Sequence, residues 1–147
     1  MPQSRLLQFS IAALLLLPVE ARGECITLKF SSVIKYSDLI FRGVVTSKEQ
    51  LDTHTIINFR VTRVWKGKLG PSATTHNVWG IEHAGFPEEL VGAEYLVLAS
   101  RLTDYQRKFI NAGSAELFGI PDCLPATPIA HASAQLKELG RGRAPRK

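Results

Sequence analysis

The chain alternates most regularly between Thr55 and Thr62. Ile57, Phe59 and Val61 take every second position, with Asn58, Arg60 and Thr62 between them, which is the two-residue period of a strand with one face buried and one wet. The phase then slips. Val61 to Val64 is a step of three, and one extra residue at Thr62-Arg63 returns Val64 to the core face, so the pattern predicts a β-bulge and a bent strand. Lys66-Gly-Lys-Leu-Gly-Pro71 ends the element, because glycine tolerates positive φ and Pro71 has no N–H to give to a ladder.

Before this strand, residues 31–37 predict one or two helical turns, and Leu39 to Thr46 a strand with Phe41, Gly43 and Val45 on one face and Ile40, Arg42 and Val44 on the other. Gly43 in mid-strand predicts a close backbone approach or a sharp bend. Residues 47–52 read as a polar hairpin link. After Pro71, Ser72 to Trp79 is a third strand, 80–87 a loop, and the apolar run Tyr95 to Ser100 a fourth, buried strand. The charged stretch 101–108 reads as a hairpin tip, followed by weaker strand material at Phe109-Ile110 and Glu116 to Phe118. Thr127 is the expected cap of a helix with Pro128 at its first position, an apolar stripe of Ile129, Ala132, Leu136 and Leu139, and Gly140 as its stop. Short strands separated by turn signals, then one amphipathic helix, predict a mainly β chain closed into a small barrel rather than a parallel sheet.

The first residues change the compartment. Arg5 precedes the apolar run Ile11 to Leu17, which is broken by Pro18 and too short to span a bilayer. Residues 1–23 are therefore expected to be a cleaved export signal, with cleavage before Glu24 or before Arg22, leaving a domain over 24–140 and a tail over 141–147. Glu24 stands where a lipoprotein site needs a small residue, so a soluble exported protein, periplasmic or extracellular, is expected. The two cysteines of the chain, Cys25 and Cys123, both remain after cleavage, and in an oxidising compartment one disulfide is their expected state.

Charge narrows the partners. Four of the five net positive charges lie in the tail as Arg141, Arg143, Arg146 and Lys147, which leaves the 147-residue chain's body close to neutral. Nucleic-acid binding by the body is not expected, and the tail reads as solvated and disordered. His54, His76, His83 and His131 lack any two-ligand spacing, a site from His76 and His83 requiring the intervening loop to fold back. Glu82 with His83 reads as solvated surface. No glycine-rich phosphate loop or serine elbow is present, so neither an enzyme nor a cofactor is expected. Trp65, Trp79, Phe86 and Tyr95 form a candidate stacking platform for a polymer such as a glycan, against their more ordinary role as core.

Leu39-Ile-Phe-Arg-Gly-Val-Val, Val64-Trp-Lys-Gly, Gly92-Ala-Glu-Tyr-Leu-Val-Leu-Ala and Cys123 followed by Pro128 and an Ala/Leu-rich helix, in this order, resemble the bacterial relatives of tissue inhibitors of metalloproteinases. The resemblance spans about residues 25–140. It implies the netrin-like version of the five-stranded OB barrel, and a monomer that binds a secreted metalloprotease or another exported protein. It also implies a contact surface made by the terminus Glu24, Cys25, Ile26 and Thr27 with the loop residues Ile81, Glu82, His83, Ala84 and Phe86. In the inhibitors an N-terminal cysteine chelates the protease zinc through its amine and carbonyl, in the place that water holds in a catalytic zinc site. Here the chain departs from the family at two matching positions. With Cys25 and Cys123 as one family bridge, the other falls on Gly23 and Ala84. Cleavage directly before Cys25 would also put Glu24 at the cleavage position. The resemblance therefore predicts the fold and a binding surface without zinc chelation.

Overall fold

The computed structural model describes residues 28–78, 90–121 and 126–147. Helix α1 (Phe30–Tyr36) leads into strands β1 (Leu39–Gln50), β2 (His54–Lys66), β3 (Ser72–Val78) and β4 (Glu94–Arg101). Helix α2 (Asp104–Phe109), the short strands β5 (Phe118–Gly119) and β6 (Thr127–Pro128), a single 3-10 turn (Ile129–His131) and helix α3 (Ser133–Leu139) follow. The strands pair antiparallel in the order β3-β2-β1-β4-β5, with β6 added to β4. The two ends of that row meet. Ile120, directly after β5, donates its N–H to Asn77 Oδ1 of β3 at 3.1 Å. A Cβ on Gly119 would stand 2.7 Å from the His76 carbonyl oxygen, so only a residue without a side chain lets the seam draw together. The result is a nearly closed five-stranded barrel with a short C-terminal helix, the mainly β, OB-type architecture the sequence predicts.

Bulges bend the long strands around this barrel. Arg42 pairs with Arg63 and Gly43 with Val61, which leaves Thr62 as the extra residue expected from the phase slip. Val61 and Val64 are consequently both buried. Two further register shifts, at Ile40/Phe41 and at Val45/Ser47, add curvature that no slip in the sequence pattern announces.

Two apolar clusters hold the barrel. Inside it, Phe41, Val45, Ile57, Phe59, Val61, Val64, Tyr95 and Val97 pack together, with Phe41 and Phe59 edge to face at 5.3 Å between ring centroids. Gly43 lies against both rings: a Cβ there would stand 3.2 Å from Phe41 Cε2 and from Phe59 Cβ, the close approach predicted for it. Outside the barrel, Ile40, Leu96 and Leu98 meet Val33 of α1, Ala132 at the N-cap of α3, and Leu136 and Leu139 within α3. Central strand β4 is therefore covered on both faces, the physical reason that its sequence is a continuous apolar run.

Several expectations are corrected. Residues 104–109 form α2 instead of a hairpin tip, and Phe109 belongs to it rather than to a strand. Thr103 and Gln106 make a reciprocal capping box, Thr103 Oγ1 accepting from the Gln106 N–H and Gln106 Oε1 accepting from the Thr103 N–H. The link expected over 47–52 is shorter, since β1 continues to Gln50 and Leu51 N–H closes the turn on the His54 carbonyl at 2.9 Å. Thr127 and Pro128 do not start a helix. They pair with Leu96 and Tyr95, and α3 begins only at Ser133 after the 3-10 turn, because pairing with β4 keeps Pro128 extended at ψ 136°. The apolar stripe and the Gly140 stop, at φ 68°, stand as expected. The tail, expected to be disordered, instead follows β2 and the turn after it. Val64 and Arg143 exchange backbone hydrogen bonds of 2.9 and 2.8 Å, and the Arg146 N–H donates to the Leu69 carbonyl at 2.9 Å.

Candidate functional site

The expected contact surface, Glu24 to Thr27 with Ile81, Glu82, His83, Ala84 and Phe86, lies outside the described residues, as do both cysteines and the expected export signal. What is described is the frame that flanks them. Val78, at the end of β3, and Pro121, just after β5, line one cleft of about 290 Å³ at the barrel seam, together with His76, Ser100, Leu102, Thr103 and Gln106. In sequence, the expected contact loop follows Val78, and the segment carrying Cys123 follows Pro121. The other ends of both segments are anchored: Leu90 and Ala126 are buried in the barrel core, and the Gly92 N–H donates to the Val45 carbonyl at 2.8 Å.

Beside the cleft stands a histidine pair. Ile56 pairs with His76 and His54 with Val78, so the two imidazoles are diagonal neighbours on one face of the β2–β3 ribbon. Their rings stack at 5.5 Å between centroids with 28° between planes. His54 is buried, and its Nδ1 lies 3.0 Å from Thr53 Oγ1. His76 Nδ1 is buried without a hydrogen-bond partner. Desolvation pushes both imidazoles below their ordinary range, and the mutual repulsion of the two cations lowers His76 further, while Glu49 acts in the opposite direction on His54. Both are therefore neutral at pH 7. Two imidazoles are fewer ligands than a structural or catalytic zinc needs. Among the described residues no group of three or more His, Cys, Asp or Glu converges to hold a metal. His131 is exposed in the 3-10 turn.

Opposite charges meet at the bulge. Arg42 Nη2 donates to Glu94 Oε2 at 2.5 Å, and Thr62, the extra residue of β2, donates its hydroxyl to Glu94 Oε1 at 2.9 Å. The Arg42 hydrogen bond holds the Glu94 carboxyl below the ordinary carboxylate range, and the same bond raises Arg42. This pair braces β1 against β4 and leaves neither partner free for acid–base work.

The aromatic platform does not assemble from the described residues. Tyr95 is core, and Trp65 packs against the outer cluster with its Nε1–H donating to the Gly140 carbonyl at 2.9 Å; Trp79 and Phe86 lie outside the described residues. Two other rings are exposed instead. Tyr105 and Phe109, one helical turn apart on α2, stack at 6.5 Å with 20° between planes. The spacing i, i+4 was readable once Thr103-Asp-Tyr-Gln106 is seen as a capping box.

Comparison with models of known protein families finds none that matches this chain, and comparison with curated proteins finds no match. Among the described residues, no helix is long and apolar enough to cross a membrane.

Proposed function

We propose that the chain is an exported protein-binding module that uses the rim of an inhibitor-like OB barrel, without zinc chelation. The observation that carries this reading is the seam cleft, which Val78 and Pro121 both line. The segments that follow them contain the expected contact loop and Cys123. Two strand ends brought together by barrel closure give those segments a common rigid base, which reduces the entropy lost on binding. The missing pair at Gly23 and Ala84 removes zinc chelation from the proposal, since the chelating group in the family is the amine of a cysteine at residue one.

The test uses the mature chain starting at Glu24 and a panel of secreted zinc proteases. The expected result is a complex that persists on gel filtration in about 1 M salt, where exposed charges are screened within about 3 Å, and that is indifferent to N-terminal acetylation. Absence of any such complex counts against the module. Potent inhibition abolished by acetylation would restore zinc chelation. A second reading, a glycan-binding module, is favoured by one observation, the exposed Tyr105–Phe109 stack on α2, the helix whose Gln106 lines the seam cleft. Loss of carbohydrate binding in Tyr105→Ala with protease binding intact would decide for it.

A further inference from the structure

From His54 to Val78 the chain contains no acidic residue, and from Gly140 to Lys147 it contains none either. The fold brings these two segments together. Backbone hydrogen bonds tie Arg143 to Val64 and Arg146 to Leu69, and Arg63 Nη1 donates to the Gly142 carbonyl at 3.3 Å. Gly142 lies so close to Arg63, Trp65 and the Val64 carbonyl that a Cβ there would stand 2.7 to 3.0 Å from them. The strap is a fitted element. Its cations Arg141, Arg143, Arg146 and Lys147 are exposed, and they extend the row begun by Arg63 and Lys68.

Among the described residues, none of these six cations forms an ion pair with a carboxylate. The nearest acids along the row are already placed. Asp38 accepts the Arg101 N–H at 2.8 Å, and Glu138 borders the cleft that Arg141 and Arg143 share with Trp65. Concentrating like charge costs self-repulsion; the Arg63 and Arg143 guanidinium groups donate to the Gly142 and Gly67 carbonyls, and Glu116 and Asp38 share a cleft with Lys68, but no carboxylate among the described residues pairs with any of the six. We infer that the strap and the turn after β2 form a binding face for a linear acidic polysaccharide.

The shape of the row selects the partner. Arg143 is seated on Val64 and Arg146 on Leu69, so the cations follow the edge of β2 and the turn after it, a spread that suits a chain of sulfate or carboxylate groups rather than one compact anion. Single-stranded nucleic acid draws on exposed rings for base stacking. Trp65 is committed to Gly140 and covered by Gly142, and the Tyr36 ring already lies 5.8 Å from Lys35 Nζ. A duplex would present phosphates on both sides of a groove about 12 Å wide, and the row offers one line. Membrane binding of lasting strength adds buried apolar area to charge, and the strap is Arg-Gly-Arg-Ala-Pro-Arg-Lys.

Heparin is the probe. The mature chain should bind it, with log affinity falling linearly with log salt as each neutralised charge releases a counterion. Arg141→Gln, Arg146→Gln and Lys147→Gln combined should weaken binding at least about tenfold at physiological salt and flatten that slope by about two. The strap is held by backbone bonds and by the Arg63, Trp65 and Arg143 side chains, none of which these substitutions alter, so the thermal midpoint should be retained. Lys29→Gln, Lys48→Gln and Lys108→Gln combined remove the same charge from positions outside the strap and the turn and should leave heparin binding within about twofold. Equal losses in both triple variants would show a net-charge effect and overturn the face, as would failure of the natural chain to bind heparin at low salt. Tighter binding to duplex DNA, to single-stranded DNA or to vesicles with anionic headgroups than to heparin would overturn the partner class. Protease binding in high salt is read separately, so failure of this face leaves the rim untouched.

Discussion

Phe59 and Arg60 are adjacent in sequence and opposite in environment, since the strand period sends one ring against Phe41 and the other side chain into water. Phe59→Ala is expected to cost about 3 to 5 kcal/mol in urea denaturation and Arg60→Ala well under about 1; equal costs would mean that the strand faces are reversed. The histidine pair adds a pH dependence with a definite sign. Burial depresses both imidazoles in the folded state, so below pH 6.5 the unfolded chain binds protons that the folded chain resists. Stability is full above that value and is lost as pH falls below it. Glu94, depressed from 4.5 by its Arg42 bond, adds a second loss that begins below the ordinary carboxylate value. Unfolding midpoints measured from pH 7.5 to pH 3 should show both steps, His76→Gln should shrink the upper one and Glu94→Gln the lower one. A flat profile between about pH 7 and 5 in the natural chain would refute the assignment to the histidines.

At the scale of elements, closure depends on small residues at two contacts. Gly119→Ala places a Cβ against the His76 carbonyl and the Leu102 side chain and is expected to cost about 1 to 3 kcal/mol. Gly70→Ala meets nothing closer than 3.8 Å and should change stability by less than about 0.5. If the two are equal in chemical denaturation, the seam between β3 and β5 is not tight. Gly142→Val should lift the strap, seen as faster hydrogen exchange at the Val64 and Arg143 amides. Unchanged exchange there would show that the strap is held by something other than this close fit.

For the molecule as a whole, the open covalent question is the pairing of Cys25 with Cys123. Both lie outside the described residues, and the expectation rests on their being the two cysteines of a chain whose first residues are expected to be an export signal. A bridge would close a loop of roughly a hundred residues and add about 4 to 5 kcal/mol by the chain-entropy estimate. Intact mass after alkylation, with and without reduction, should show no free thiol in the native mature protein, and reduction should lower its unfolding midpoint. Two alkylated cysteines without reduction would remove the bridge and with it one tie between the terminus and the rim.

The barrel was legible in the chain wherever one face is buried, because alternation along a strand is a direct record of which side meets water. Strands at 39–46, 57–64 and 95–100, the bulge at Thr62, the close contact at Gly43 and the stripe of the last helix all follow from that record. The capping box at Thr103 is equally local, but the charges around it read as a turn. Pairing across distance leaves no such trace. His54 and His76 meet because a turn through Gly67 and Pro71 sets the register of β2 on β3, and the length of that irregular turn does not follow from its composition. Thr127 and Pro128 carry a helix start signal that pairing with β4 overrides. The basic strap looked like tail because charge, glycine and proline are the composition of disorder. Only the tertiary structure supplies the unpaired backbone of Val64 and Leu69 that holds it, since hydrogen-bond partners some eighty residues away are decided by the folded surface and not by the segment itself.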